Sequence, residues 1–513
     1  MRYRLFFLLS SLVLCFSLAA PSLAATAPLH SFNAAIARPA ELVHETQASS
    51  PGALFRITGL RGADGGAITL DLETARLFAD DFHLYVDGQD RGQEATARLS
   101  FLRGTVEEMP HSSVALIVDA VTGAWSGYIV AGQELYEIAL PADRAEKSLA
   151  LAATVSPIPA ESLAKSALSD ALSPPSGTKA IERPESKLVV PPGVSYQASI
   201  AIDSDYEMFQ IFGDTDRAMS HIVTVMGGVS ELYVRQLGIS LTLTSISLYT
   251  TPDDPWNAPN PHSGATADVL CEFSSYWQAH RPVKTYPRNG AMFFTGKSSR
   301  DIGGQAWLSS LCSYSAKPAS CPYGGYGIVV ISGPRDVILT AHELGHIVGS
   351  QHTHCYNPPI DNCLAGEQGC YFGVETTPPD GGSVMSYCHP AVLSMGEQGH
   401  YGLDSQRVEE VIGGFIGQVG PTCLSYAGAY SLTGTPGTAS ATLSWTDPFS
   451  TETGWIVEQR QKSGQFKQVK LLPANAASAT ITRLKRGANL FRIRAKFKRD
   501  FGVYSDVVTV VVP

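Results

Sequence analysis

Apolar positions in the middle of the chain recur with two different spacings. Tyr196–Ile202 and Ile239–Tyr249 contain apolar residues alternating with polar ones, which predicts strands. Between them, apolar residues recur every three or four positions. This stripe predicts an amphipathic helix whose core face is formed by Ala218, Ile222, Val225, Val229 and Leu232. Asp203 or Ser204 is placed to cap the helix that follows the first strand.

Further along, the same two spacings predict more strands and a second helix. Ala291–Thr295 and Ile328–Ile331 are apolar runs of strand length. Pro334 suits the first turn of a helix, and the helix has a core face made of Val337, Ala341, Leu344 and Val348. Strands therefore alternate with helices from residue 196 to about 425, as in an α/β (α+β) domain.

The two flanking regions differ in character from the middle of the chain. Residues 25–154 contain short apolar runs such as Val114–Val118 and Gly127–Val130, which predict a small β-rich domain. Residues 155–195 are rich in proline, alanine and serine, as in a mobile, cleavable linker. In residues 427–513, strand-like runs indicate a β-sandwich; they are Ala441–Trp445, Trp455–Arg460, Ala479–Thr482, Leu490–Ala495 and Val507–Val512.

The N-terminus predicts export. Arg2 and Arg4 precede the apolar run Leu5–Leu18, and small residues follow, so residues 1–24 are predicted to be a signal peptide cleaved after Ala24. The alternative is a membrane anchor, for which the apolar run is short. With 37 basic and 47 acidic residues, the net charge of −10 gives no indication of nucleic-acid or anionic-membrane binding.

Eight cysteines follow the signal peptide, all between Cys271 and Cys423. In an exported chain they predict up to four disulfides. The alternative is that Cys355 or Cys370 is a metal ligand. The sequence contains no Asn-x-Ser/Thr acceptor, which favours a bacterial source. We therefore expect a secreted, monomeric protein that passes through the periplasm in transit and has no membrane span in its mature form.

The strongest chemical signal is the run from His342 to His352. His342 and His346 are four residues apart, so they project from the same face of the predicted helix. Gly349 lies where a helix commonly ends in a left-handed residue, which would let the chain bring His352 back toward the same cation. Glu343 lies beside that cation without having to ligate it. The alternative is a helix with surface histidines.

This set of residues predicts a catalytic zinc site. Three neutral imidazoles leave one coordination position for water, whose pKa zinc lowers to about 7. Glu343 is then the candidate general base, which takes a proton from this water and passes it to the leaving amine. His354 is a competing third ligand at a less suitable offset. Calcium binding is left open.

The motif formed by His342, Glu343, His346, Gly349 and His352 resembles the metzincin zinc-protease signature. Metzincins also have a methionine turn beneath the zinc, and Met385 in Ser383–Tyr387 fits it. The resemblance implies a catalytic domain at residues 196–425 with a mixed, twisted sheet and an active-site helix. It also implies an extended substrate along an edge strand, which we place near Ala291–Gly296.

Within the metzincins, the chain looks most like the reprolysin (adamalysin-like) group. Ile200–Asp203, Ala291–Gly296 and Gly303–Ala306 resemble segments of its catalytic domain, and Phe101–Val106 resembles a strand of its propeptide. The C-terminal region resembles a fibronectin type III domain, with Trp445 as its core tryptophan but without the usual corner tyrosine.

Two residues depart from the reprolysin pattern. Reprolysins have Asp after the third histidine, where this chain has Thr353. Tyr387, two residues after Met385, instead resembles the tyrosine of astacins and serralysins. The resemblance implies that Tyr387 is a fifth zinc ligand at rest and stabilises the oxyanion; the alternative is a packed tyrosine.

We therefore predict a secreted zinc endopeptidase that acts on protein or peptide substrates. It would be made as a zymogen with a β-rich propeptide at residues 25–154. No cysteine lies between the signal peptide and Cys271, so a propeptide thiol cannot bind the zinc. The propeptide would either occupy the cleft or act only as a folding aid. The rival functions are an adhesion or binding protein with a metzincin scaffold, and a zinc hydrolase acting on a non-peptide bond.

Overall fold

The structure is a computed structural model. It describes residues 29–49, 52–131, 134–141, 147, 149, 153–158, 171–172, 188–189, 195–259, 266–298, 303–314, 321–378, 382–388, 406–427, 429–447, 449, 452–461, 466–498, 501–502, 504–505 and 507–513. The predicted signal peptide and most of the predicted linker lie outside these residues. Among the described helices, none is long and apolar enough to cross a membrane.

The N-terminal region forms an eight-stranded sheet with the order β1-β2-β3-β6-β7-β8-β9-β10. Neighbouring strands are antiparallel except for the parallel pair β1–β2. The elements of this region are β1 (Leu29–Asn33), α1 (Pro39–Ala48), β2 (Leu54–Arg61), β3 (Ala67–Thr74), β4 (Phe78–Val86), β5 (Gln89–Asp90), α2 (Glu94–Arg98), β6 (Leu99–Val106), β7 (Met109–Asp119), β8 (Trp125–Ala131), β9 (Glu134–Leu140) and β10 (Thr154–Pro157).

Both faces of this N-terminal sheet are buried, as β7 shows. Val114, Leu116 and Val118 face a core made entirely within the N-terminal region. Ala115 and Ile117 face a second core that also contains residues of the middle region. Successive side chains of a strand point to opposite faces, so a strand buried on both sides has a continuous apolar run such as Val114–Val118.

The middle region forms a mixed sheet with the order β11-β16-β17-β15-β13-β14-β4-β5, and β18 pairs with β13. Its central pairs are parallel, whereas β16 and β17 are antiparallel. Its further elements are β11 (Ala171–Leu172), β12 (Leu188–Val189), which joins the C-terminal region, β13 (Ser195–Ser204), α3 (Tyr206–Phe212), α4 (Thr215–Leu237), β14 (Ile239–Leu248), α5 (Thr266–His280), β15 (Gly290–Thr295), β16 (Gly304–Trp307), β17 (Tyr326–Val330), α6 (Asp336–Ile347), α7 (Gln406–Cys423) and β18 (Ser425–Ala427).

The strands and helices predicted for this region are present, and the apolar stripe of α4 is buried. The predicted helix cap is wrong by one or two residues. Neither Asp203 nor Ser204 caps α3; the carboxylate of Asp205 accepts a hydrogen bond from Met208 N at 2.8 Å. Asp203 is fully buried in the strand and accepts a hydrogen bond from Trp277 Nε1 at 2.8 Å.

The N-terminal and middle regions share a sheet and a core. Strand β4 pairs in parallel with β14, so it extends the sheet of the middle region. The N-terminal sheet packs closely on α4 at two glycines. A Cβ added to Gly227 would lie 3.0 Å from a Phe101 side-chain atom, and a Cβ added to Gly228 would lie 3.0 Å from a Tyr128 side-chain atom. Arg98 of α2 is paired with Asp216 in the first turn of α4. The N-terminal region is therefore an extensive packing partner of α4.

The predicted position of the cleft edge is corrected by the strand order. Ala291–Gly296 contributes β15, which lies between β13 and β17 and is buried at every position, so an added peptide could not pair with it. On this side of the sheet the outer strands are β16 and the two-residue β11. β11 runs parallel to β16, and Leu308 N donates to Leu172 O at 2.9 Å. Apart from the two-residue β11, the edge strand on this side of the sheet is therefore Gly304–Trp307.

The C-terminal region contains two sheets around a core with Trp445, Trp455 and Phe491. One has the order β19-β20-β23, and the other has β12-β25-β24-β21-β22, with β26 beside β24. Leu188–Val189 of the predicted linker adds a parallel strand to this second sheet. The strands are β19 (Thr433–Gly437), β20 (Ser440–Ser444), β21 (Gly454–Arg460), β22 (Phe466–Pro473), β23 (Ser478–Thr482), β24 (Gly487–Lys496), β25 (Phe501–Gly502) and β26 (Val508–Val512).

The eight cysteines form four disulfides: Cys271–Cys321, Cys312–Cys423, Cys355–Cys370 and Cys363–Cys388. The prediction of a disulfide framework is confirmed. The alternative in which Cys355 or Cys370 ligates a metal is wrong, because their sulfur atoms are bonded to each other.

Candidate metal centre

Helix α6 carries the first part of the histidine motif and is fixed at its N-terminus by a buried carboxylate. Asp336 Oδ1 accepts hydrogen bonds from Ser332 N at 2.8 Å and from Gly333 N at 3.1 Å. His221 Nε2, on α4, donates to Asp336 Oδ2 at 2.8 Å. The carboxylate therefore satisfies backbone donors near the start of the helix and joins α6 to α4.

The turn after α6 brings the third histidine back to the helix. The helix ends at Ile347, and Gly349 has φ +109°, which glycine adopts with little strain. A Cβ on Gly349 would lie 2.9 Å from Phe415 Cβ, so a larger residue would also clash with α7. The left-handed position predicted for Gly349 is thus present, and His352 follows it.

The structure brings the three predicted ligands together. The potential ligand atoms of His342, His346 and His352 all lie within 4.8 Å of one another. His342 Nε2 and His346 Nε2 are 3.1 Å apart. The exposed fractions of the three residues are 7%, 0% and 0%, so this polar cluster is buried.

The hydrogen bonds of the rings determine where their protons are. His342 Nδ1 lies 2.6 Å from Val384 O, and His346 Nδ1 lies 2.7 Å from Ser350 O. His352 Nδ1 lies 3.0 Å from Glu367 Oε2. Carbonyl and carboxylate oxygens accept, so each Nδ1 donates and each Nε2 of a neutral ring carries a lone pair. Converging lone pairs in a buried site repel one another unless a cation lies between them, so the residues fit a zinc ion.

Glu343 lies next to the edge strand. It is 1% exposed, and a Cβ on Gly304 would lie 2.4 Å from Glu343 Oε1. The carboxylate therefore occupies the space that a side chain at Gly304 would need. A substrate that pairs with β16 would pass close to this carboxylate.

The segment of the predicted methionine turn contacts the first histidine, because Val384 O accepts from His342 Nδ1 at 2.6 Å. Met385 is fully buried, and its carbonyl oxygen accepts from Thr353 N at 3.0 Å. Tyr387 is 6% exposed, and its ring centroid is 4.4 Å from that of His352 and 6.1 Å from that of His342. The segment that follows the third histidine is thereby connected to the turn that carries Met385 and Tyr387.

Glu367 is a part of the centre that the sequence prediction did not assign, and His354, the competing third ligand of that prediction, is its partner. His354 is fully buried, and its Nε2 donates to Glu367 Oε2 at 2.7 Å. His354 is grouped with His352, Cys355 and Glu367, whose potential ligand atoms lie close together, and not with the three predicted ligands. Burial raises the pKa of the Glu367 carboxyl, but the hydrogen bonds from His352 and His354 outweigh it and hold the pKa well below its usual range. The His-x-His spacing was a visible signal for His354, whereas nothing in the sequence singles out Glu367.

Comparison with known proteins supports the assignment of the middle region. Residues 194–395 match the model Reprolysin_5, described as metallo-peptidase family M12. The chain is 24% identical over 206 residues to disintegrin and metalloproteinase domain-containing protein B of Aspergillus fumigatus, a match that covers 38% of this chain and 25% of the relative. It is 24% identical over 172 residues to zinc metalloprotease mde10 of Schizosaccharomyces pombe, covering 30% of this chain and 33% of the relative.

A mouse protein, disintegrin and metalloproteinase domain-containing protein 1a, is 23% identical over 166 residues, which cover 32% of this chain and 20% of the relative. The chain thus spans a third or less of the length of these three relatives. Among solved structures, chicken CNTN1 FN1–FN3 domains align with 13% identity and a TM-score of 0.15 over 16% of this chain and 30% of that one, a similarity too low to establish a fold. Residues 194–395 are thus similar to metallopeptidases of family M12, and this similarity supports a reprolysin-like zinc metalloendopeptidase domain in the middle region.

Proposed function

We propose that this protein is a secreted zinc endopeptidase made as a zymogen, with Glu343 as general base. The observation that carries the proposal is the buried cluster of His342, His346 and His352, whose Nδ1 atoms are all bound to acceptors. The four disulfides support an extracellular location.

The imidazoles, Glu343 and β16 each have a separate role in peptide hydrolysis. A zinc ion held by the three imidazoles supplies Lewis acidity and a water of lowered pKa. Glu343 takes the proton of the attacking water and delivers it to the leaving amine. The backbone of β16 pairs with an extended peptide, which brings the scissile bond to the centre.

Endopeptidase activity is tested by incubating the secreted, processed protein with a mixture of unlabelled peptides and analysing the products by mass spectrometry. We expect internal cleavage that stops when a zinc chelator is added. Intact peptides throughout would favour an adhesion or binding protein that uses this domain as a scaffold. A zinc hydrolase acting on a non-peptide bond would also leave the peptides intact, and a screen with ester and amide substrates separates these two cases.

Tyr387 is proposed to stabilise the oxyanion formed during hydrolysis, because its ring lies beside those of His342 and His352. We expect Tyr387→Phe to keep zinc and to lower kcat/KM for a peptide by about 10²-fold, the typical effect of losing one oxyanion donor. Tyr371→Phe, in an exposed loop where its hydroxyl donates to Val374 O at 3.2 Å, is the control. Unchanged kcat/KM in Tyr387→Phe would mean that this tyrosine only packs.

Latency is proposed to depend on β11, since Leu172 pairs with the edge strand that a substrate would use. Leu172 also packs against the cluster that contains Trp307. We expect Leu172→Asp to raise the peptidase activity of the unprocessed chain by up to about tenfold. The aspartate removes apolar burial that holds β11 on the edge strand, so a substrate can reach that strand more often. Ile36→Asp, at a position that is 79% exposed, is the control. If both variants are as inactive as the parent, β11 does not block the cleft.

The C-terminal region is proposed to be a fibronectin type III-like spacer or surface-binding module. The support is its pair of sheets, one with β19, β20 and β23 and the other centred on β21 and β24. Trp445, the tryptophan predicted for its core, is 6% exposed and packs against Trp455 with ring centroids 5.5 Å apart.

A further inference from the structure

The third predicted ligand is held differently from the other two. The Nδ1 atoms of His342 and His346 donate to backbone carbonyl oxygens. His352 Nδ1 instead donates to a carboxylate oxygen, Glu367 Oε2, at 3.0 Å. This bond is longer than the 2.6 and 2.7 Å bonds of the other two rings, but its acceptor carries a charge, and an ionised acceptor makes a stronger hydrogen bond than a neutral one of similar geometry. The carboxylate also increases electron donation from the imidazole, so His352 should bind zinc more strongly than a histidine without such a partner.

Glu367 is itself held in place by a buried partner and a closed loop. Its Oε2 also accepts from His354 Nε2 at 2.7 Å. The rings of His352 and His354 are stacked, with centroids 5.3 Å apart and an interplanar angle of 8°. The Cys355–Cys370 disulfide closes the loop that contains Glu367, and Cys370 N donates to Glu367 O at 3.0 Å. The Glu367 side chain is only 11% exposed, so water can do little to replace either hydrogen bond.

We propose that Glu367 is a positioning residue for the metal centre, and that His354 supports it. The carboxylate fixes the orientation and tautomer of His352, and His354 holds the carboxylate against that ring. The inference rests on the proposed zinc site. It gives the loop between Cys355 and Cys370 a function in metal binding beyond its disulfide.

The experiment measures zinc affinity by competition with a chromophoric chelator for the wild type, Glu367→Gln, Glu367→Ala and His354→Gln. The matched control is Glu375→Gln, which changes an exposed carboxylate that follows the Cys355–Cys370 loop in the chain. The Kd for zinc should rise about 10-fold in Glu367→Gln and up to about 100-fold in Glu367→Ala, the range for lost partners of metal-ligating histidines. His354→Gln should give a smaller rise, and Glu375→Gln should match the wild type.

Two further readouts separate positioning from a structural role. The Tm of the zinc-free protein should fall in Glu367→Gln, because His352 and His354 lose an ionised acceptor, and for a positioning residue the Kd for zinc rises as well. The visible absorption bands of the cobalt-substituted protein should shift in Glu367→Gln but not in Glu375→Gln, because only the first variant changes a ligand's environment. Glu367→Gln is nearly isosteric, so it keeps the test valid if Glu367→Ala fails to fold.

The outcomes distinguish this inference from the proposed function. Wild-type zinc affinity and an unchanged cobalt spectrum in Glu367→Gln would overturn the positioning role while leaving the zinc site intact. A lower Tm of the zinc-free variant with unchanged zinc affinity would also overturn it, because Glu367 would then be structural. Failure of the wild type to hold zinc would overturn the proposed zinc site itself, and this inference with it.

Discussion

Glu343→Gln is expected to bind zinc as the wild type does and to cleave peptides with kcat/KM lower by about 10³- to 10⁴-fold, the upper range for loss of a general base. The glutamine has nearly the same shape, so the buried contact with the edge strand at Gly304 should be preserved. What it loses is the capacity to take a proton from the attacking water. Zinc content and steady-state kinetics on one peptide are the two measurements.

Glu375→Gln serves as the control for this variant because Glu375 is exposed. It should keep wild-type kinetics. A Glu343→Gln protein that retained zinc and most of its activity would show that another group accepts the proton. Loss of zinc together with activity would instead show that Glu343 is needed to build the centre, which the proposed mechanism does not require.

Gly304→Ala is expected to damage both stability and activity. The new Cβ would lie 2.4 Å from Glu343 Oε1 and 2.6 Å from Ile328 O, and the second of these atoms is backbone in the neighbouring strand. The edge strand or the Glu343 carboxylate must therefore move to relieve this overlap. The free energy of unfolding should fall by about 1–3 kcal/mol, as in overpacked cores. Displacement of Glu343 by a fraction of an ångström to an ångström should lower kcat/KM by about 10²-fold.

Chemical denaturation and peptide kinetics measure the two effects. Gly413→Ala is the control, because Gly413 is an exposed position of α7 where an added Cβ meets nothing within 4 Å. Alanine there should stabilise the helix by about 0.5–1 kcal/mol. A Gly304→Ala protein as stable and as active as the wild type would mean that the close approach of Glu343 to β16 is not needed.

Local spacing was enough to predict the centre of the site. The helical offset between His342 and His346 and the glycine after the helix require no information about distant residues. The strands Ile239–Leu248 and Tyr326–Val330 were found for the same reason, since they lie where apolar spacing or an apolar run is clear. β22 (Phe466–Pro473) was missed because it is largely exposed and carries lysines, so no apolar alternation marks it.

The features that the sequence did not reveal depend on contacts between distant segments. The edge strand was misplaced because Ala291–Thr295 and Gly304–Trp307 are both short apolar segments, and only the order of strands distinguishes an interior strand from an edge. Glu367 has no local signal, because its role arises when a disulfide loop folds back onto His352 and His354. The pairing of β4 with β14 joins residues far apart in the chain, and local periodicity carries no information about it.

We propose that one zinc ion, held by His342, His346 and His352, makes this protein a peptidase. The most direct test removes metal from the processed protein and measures peptide cleavage as zinc is added back. We predict no cleavage without metal and a linear rise that saturates at one zinc ion per chain, with no recovery in His352→Ala. Cleavage by the metal-free protein, or full recovery in His352→Ala, would show that hydrolysis does not depend on a zinc ion held by these three histidines.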